Sequence, residues 1–168
     1  MTALATLILM IFPVSMAFAA ANDLFTMKIP NRISLVLVGG FVAIAVVTRM
    51  PLETFGIHVA CAFCVLALTF ALFSMNLLGG GDAKLMAAGA LWMGGAHIAE
   101  FLAFVTIYGG VLCFIILAYR RMVPVSVSFP PWAQRLHIAG GPIPYGIAIA
   151  AGGLMLFPAT ELFRSVMV

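Results

Sequence analysis

Charge is what this 168-residue chain has least of: eight basic and five acidic side chains, 8% of residues, against about 25% in an ordinary soluble domain. So few charges cannot clothe a water-facing surface, which excludes a soluble globular domain and an acidic or basic disordered tail. Alternating polar and apolar residues are also missing. The apolar runs are continuous, which excludes a transmembrane barrel. No basic stripe with interleaved aromatics is present, so the net charge of +3 carries no sign of nucleic-acid binding. No Lys or Arg precedes Lys28. The first apolar run therefore lacks the positive region of a secretory signal, although Ala17-Phe18-Ala19 resembles a cleavage site. Cysteine is scarce, at three residues. Cys61 and Cys64 form a C-x-x-C with no second pair and no ligating His nearby in sequence, so they read as packing residues, as does Cys113.

What is present is hydrophobicity: 65% of residues are hydrophobic and the mean hydropathy is +1.23. This predicts an all-α polytopic transmembrane bundle of about six helices, forming one integral-membrane domain over 1–168. A spanning helix takes about 20 residues, so six use about 120 and leave only short loops. The runs fall at 4–21, 33–47, 57–77, 83–93, 98–119 and 144–163, the fourth being short for a span. Lys28, Arg32, Lys84, Arg120, Arg121 and Arg135 then lie on one side, with Arg49 and Arg164 on the other. The positive-inside rule makes the first side cytoplasmic. Phe129-Pro130-Pro131-Trp132 reads as an interfacial loop with a Trp anchor.

Of the acids, Asp23 follows the first run and Asp82 precedes the fourth. Two crossings separate them, which returns both carboxylates to the same side. Asp82 follows Gly79-Gly80-Gly81. Glycine permits positive φ and close approach of another chain, while an acid at a helix start also serves as a cap. Two adjacent carboxylates can share one proton, one acting as general base on water and the other polarising a carbonyl. His58, His97, Glu53 and Glu100 fall on the opposite side, away from both aspartates, and no metal site or cofactor is expected.

Gly79-Gly80-Gly81-Asp82 resembles the G-x-G-D signature of intramembrane aspartic peptidases, and Gly81-Asp82-Ala83-Lys84-Leu85 resembles its prepilin peptidase form. Asp23 followed by Lys28-Ile29-Pro30-Asn31 is similar to that family's first aspartate motif. Leu91-Trp92-Met93-Gly94 and Ile143-Pro144-Tyr145-Gly146 resemble segments of its short members, closest to the small peptidase of tight-adherence (Flp-type) pilus systems. The resemblance implies a membrane-embedded aspartic endopeptidase that cleaves short leaders from type IV prepilins, after a glycine, at the cytoplasmic boundary of the bacterial inner membrane. It implies Asp23 and Asp82 as catalytic residues, with Gly79, Gly81, Lys84, Pro30 and Asn31 toward substrate. The implied partners are prepilin or pseudopilin substrates, the bilayer and the pilus secretion apparatus, with no nucleic acid. The large cytoplasmic insertion with two C-x-x-C pairs is missing, so N-methyltransferase activity has no support. From the residues alone, Lys84 reads first as a snorkelling anchor, and Pro30 and Asn31 as shaping the start of the second helix. The rival class is a non-catalytic membrane scaffold or a small proton or cation transporter using the paired acids.

Overall fold

The computed structural model describes residues 2–123, 130–138 and 140–167. They form α1 (Thr2–Leu9), α2 (Ile11–Thr26), α3 (Asn31–Val47), α4 (Leu52–Ser74), α5 (Gly80–Met122), α6 (Pro131–Leu136), α7 (Gly146–Leu156), a 3-10 turn (Phe157–Ala159) and α8 (Glu161–Met167), with no strand among the described residues. Three helical stretches are long and apolar enough to cross a membrane: 3–26, α4 and α5. The bent pair of α7 with its 3-10 turn and α8 makes up to a fourth. The chain is an all-α membrane bundle.

Local chemistry sets most boundaries. Pro30 and Pro51 stand in extended conformation directly before α3 and α4, where a missing N–H costs nothing. The fourth helix therefore begins at Leu52, earlier than its apolar run at 57, with Glu53 in its first turn where an acid suits the helix dipole. Pro158 lies in the 3-10 turn that separates α7 from α8, which diverge by 52°. The single helix expected over 144–163 is thus broken, because proline removes an intrahelical hydrogen bond. The first helix runs on to Thr26. Asp23 consequently sits inside its last turn instead of in a polar break beyond it.

The 43-residue α5 is two arms. Gly94, with φ 64° and ψ −172°, interrupts it, and a methyl group on Gly89 would come within 2.8 Å of the Phe101 ring. Residues twelve apart on a continuous helix lie about 18 Å from each other. The arm 95–122 therefore folds back along 80–93. Close approaches of Gly153 to Phe101 and of Gly152 to Val105 run α7 antiparallel to the returning arm. Small residues at such contacts let membrane helices pack backbone to backbone.

The first arm of α5 is the centre of the molecule. Ala83 and every residue from Leu85 to Gly94 are buried. Trp92 is fully buried, its ring flanked by Phe12, Phe41 and Phe157, and its Nε1–H donates to the Leu37 carbonyl at 2.9 Å. That bond satisfies the polar handle of a large apolar side chain far from water. Outward positions such as Leu7, Val46, Phe63 and Phe114 are largely exposed, as lipid-facing residues are.

The return at Gly94 has its own cap. Reversal frees the Leu91 carbonyl, and His58 Nδ1 donates to it at 2.7 Å. His58 thus lies at the end opposite the aspartates as a structural donor, and Phe41 stacks on its ring. His97 and Glu100 pair with each other at 3.1 Å. Cys61, Cys64 and Cys113 are free thiols.

Candidate functional site

Asp23 and Asp82 come from elements far apart in sequence and lie at the same end of the bundle, with Ile29 packed beside both segments. Asp23, in the last turn of α2, is buried at 6% exposure. The left-handed Met27 (φ 55°) ends that helix, and its N–H bonds to the Asp23 carbonyl. Asp23 Oδ2 accepts the backbone N–H of Gly146 at 2.8 Å, a buried bond across 123 residues. Gly146 is the first residue of α7. Its N–H is one of the groups a helix leaves without an internal partner, and here it orients a carboxylate.

Asp82 stands third in α5, after Gly80 and Gly81, with Gly79 as the extended N-cap. Its carboxylate takes a backbone hydrogen bond from Gly79, the return half of a capping box. Asp82 therefore does cap its helix, and its charge is also close enough to interact with that of Asp23.

The three glycines serve close approach alone: the only described glycines with positive φ are Gly94 and Gly140. A methyl group on Gly79 would stand 2.6 Å from Asp82 Oδ2. One on Gly81 would meet Ile29, at 3.1 Å from its Cβ and 3.3 Å from its carbonyl oxygen. Gly81 thus packs closely against Ile29.

Lys84 Nζ donates to Asn31 Oδ1 at 2.9 Å. The lysine thus joins the start of α3 to the first turns of α5, the helix that carries Asp82. Pro30 is the extended residue before α3, and its carbonyl accepts the Ile33 N–H.

α6 packs against this end. Arg135 donates to the Phe25 carbonyl at 2.8 Å, and the Trp132 ring meets Phe25 edge-on at 5.9 Å. Arg120 donates to the carbonyls of Leu136 and Gly141 at 2.7 and 3.0 Å. Trp132 is half-buried against its own protein. Phe129 lies outside the described residues.

A sequence model of the type IV leader peptidase family matches residues 10–118. The chain belongs to the type IV leader peptidase family. No curated protein and no solved structure matches it. In this family member the matched stretch carries both aspartates, Lys84 and the Gly94 reversal. The Gly146 donor lies beyond it, contributed by the last long helix.

Gly79 lies against the Asp82 carboxylate and Gly81 directly precedes Asp82, while Pro30 and Asn31 stand at the start of α3 with Lys84 bonded to Asn31; His58 is turned to the Gly94 reversal instead. Two residues at the site had been given no role from sequence: Gly146, which donates to Asp23, and Ile29, which packs against both halves. The only sequence signal for either was its place in the segments Ile143-Pro144-Tyr145-Gly146 and Ile29-Pro30-Asn31. Among the described residues no group of three or more His, Cys, Asp or Glu is placed to hold a metal ion.

Two neighbouring carboxyls in a low-dielectric site, one fixed by a backbone N–H, can hold a single shared proton. That arrangement provides a base and an acid at the same moment.

Proposed function

We propose that this leader peptidase family member is an aspartic endopeptidase that removes the leader of type IV, Flp-like prepilins at the cytoplasmic boundary of the bacterial inner membrane, with Asp23 and Asp82 as its catalytic pair. The observation that carries the reading is the placement of both aspartates at one end of the bundle, with the Gly146 N–H on Asp23 Oδ2 and Ile29 reaching from Gly146 to the glycine before Asp82. In this mechanism the ionised carboxylate takes a proton from water, and the water oxygen attacks the scissile carbonyl carbon. The protonated carboxyl gives its proton to the carbonyl oxygen. Collapse of the tetrahedral intermediate breaks the C–N bond, and a proton passes to the departing amine. The substrate's hydrophobic helix stays in the bilayer while its leader lies at the boundary, where both aspartates sit. Co-expression with a Flp-type prepilin tests this: a shortened product is expected only when the chain is present, and an unshortened prepilin in its presence sinks the reading.

Orientation rests on the six basic residues on the aspartate side. Reporter fusions after Pro30 and after Arg121 are expected to read cytoplasmic, and one after Glu53 external. An external signal at Pro30 would put Asp23 on the wrong side for a cytoplasmic leader.

The glycines are expected to separate in the same assay. Gly79→Ala drives its methyl group onto Asp82 Oδ2, so the carboxylate must turn away. Misplacing a reacting group by about 1 Å costs about 100-fold in rate, and cleavage should fall on that scale with normal membrane abundance. Gly81→Ala meets Ile29 at 3.1 Å and does not touch the Asp82 carboxylate; its cleavage should fall less. A larger loss for Gly81→Ala than for Gly79→Ala would contradict this assignment.

A further inference from the structure

Ile29 is the one apolar side chain the described contacts place against both halves of the site. Its Cδ1 would lie 2.8 Å from a methyl group on Gly146, and Asp23 Oδ2 would lie 2.9 Å from that same point. Its Cβ would lie 3.1 Å from a methyl group on Gly81, the residue before Asp82. The side chain thus runs from Gly146, the donor to Asp23, to the glycine beside Asp82. It is also held stiffly. Pro30 follows it and restricts its backbone to extended conformations, and branching at Cβ limits its rotamers. The Lys84–Asn31 hydrogen bond at 2.9 Å fixes the segment on its other flank.

A peptide cleaved between the two carboxyls must lay its scissile carbonyl beside both, with the side chain of the preceding residue projecting into the surrounding wall. We propose that Ile29 is the specificity-determining residue of this site: its side chain fills the space that a substrate side chain next to the scissile bond would need, and so admits only glycine there. The inference rests on the peptidase reading above and goes beyond it by assigning the size limit to one residue. Ile29 takes no part in proton transfer. It discriminates by volume, as an apolar pocket separates substrates that differ by one methyl group.

The test is a ratio measured within each variant, which abundance does not move. Two prepilins that differ only by glycine or alanine before the scissile bond are co-expressed with the wild-type chain, Ile29→Val and Ile29→Ala, and initial cleavage of each is quantified. Wild type should cut the glycine substrate and leave the alanine substrate nearly intact. Ile29→Val, which deletes Cδ1 alone, should raise the alanine-to-glycine ratio by about 10-fold, the lower end of what one methylene supplies, and Ile29→Ala should raise it further. If Ile29→Ala does not accumulate, Ile29→Val decides the matter. A ratio within about 2-fold of wild type, with the glycine substrate still cut, overturns the inference and leaves the peptidase reading standing, because one methylene in a pocket supplies more than that. Failure of the wild-type chain to cut either substrate overturns both.

Discussion

Asp23→Asn and Asp82→Asn are each expected to leave a co-expressed prepilin full-length, with cleavage down at least about 1,000-fold, while the protein accumulates in the membrane as wild type does. Positioned acid–base groups commonly supply about 100- to 10,000-fold. Residues that act as a unit lose nearly the whole effect when one is removed. The substitution is chosen for what it keeps. Asn retains an oxygen that can accept the Gly146 N–H now held by Asp23 Oδ2 at 2.8 Å, and at position 82 it retains an acceptor for the Gly79 backbone. Packing and helix capping therefore survive, and the missing element is the ability to hold and release a proton. In the wild-type chain the rate should fall at both low and high pH, since a pair that shares one proton is active only while it holds just one. Equal shortening of the prepilin by either Asn variant would remove the aspartic mechanism. Loss of abundance would instead identify a structural role for that carboxyl.

The second large effect is expected at Gly94, far from the aspartates. At φ 64° and ψ −172° this residue occupies a region essentially confined to glycine. A methyl group there would also enter the His58 ring, 2.5 Å from its Cε1. Gly94→Ala should therefore cost about 3 kcal/mol or more in stability, from backbone strain and overpacking together, and sharply reduce the folded protein recovered in detergent. His58→Ala should cost about 1–3 kcal/mol, because the buried Leu91 carbonyl loses its donor. The double variant distinguishes the two causes: removing the ring makes space but leaves the torsion angles unchanged, so thermal stability should stay well below that of His58→Ala alone. Full recovery to that level would show that the collision with His58, and not the backbone, makes glycine necessary. Because Gly94 sets the angle between the Asp82 arm and the arm that packs on α7, any surviving Gly94→Ala protein should also cleave poorly.

Much of this architecture follows from short-range features. Continuous apolar runs require membrane helices, since backbone groups in hydrocarbon must bond within their own segment. The polar breaks at Lys28–Arg32, Arg49–Glu53 and Gly79–Asp82 mark where those helices end. Two crossings between Asp23 and Asp82 are enough to return both acids to one side, without knowledge of any helix packing. The family assignment likewise draws on residues 10–118 as a linear pattern.

The finer facts were decided by packing. Gly94 and Gly95 signal a break but not a full reversal. That follows from the contact of Gly89 with Phe101, which depends on which apolar faces fit together. His58, a lone histidine in an apolar run, becomes a cap only because the reversal frees a carbonyl 33 positions away. Gly146 donates through a backbone N–H, a group nearly every residue carries, so no side-chain identity could mark it. Ile29 looks like any other apolar residue until the ends of α2, α5 and α7 close around it. Local sequence determined which segments are apolar enough to enter the membrane and that the two acids return to the same end of the bundle. Only the tertiary structure decided which backbone groups and apolar side chains surround them, because those neighbours are selected by shape and distance across segments remote in the chain.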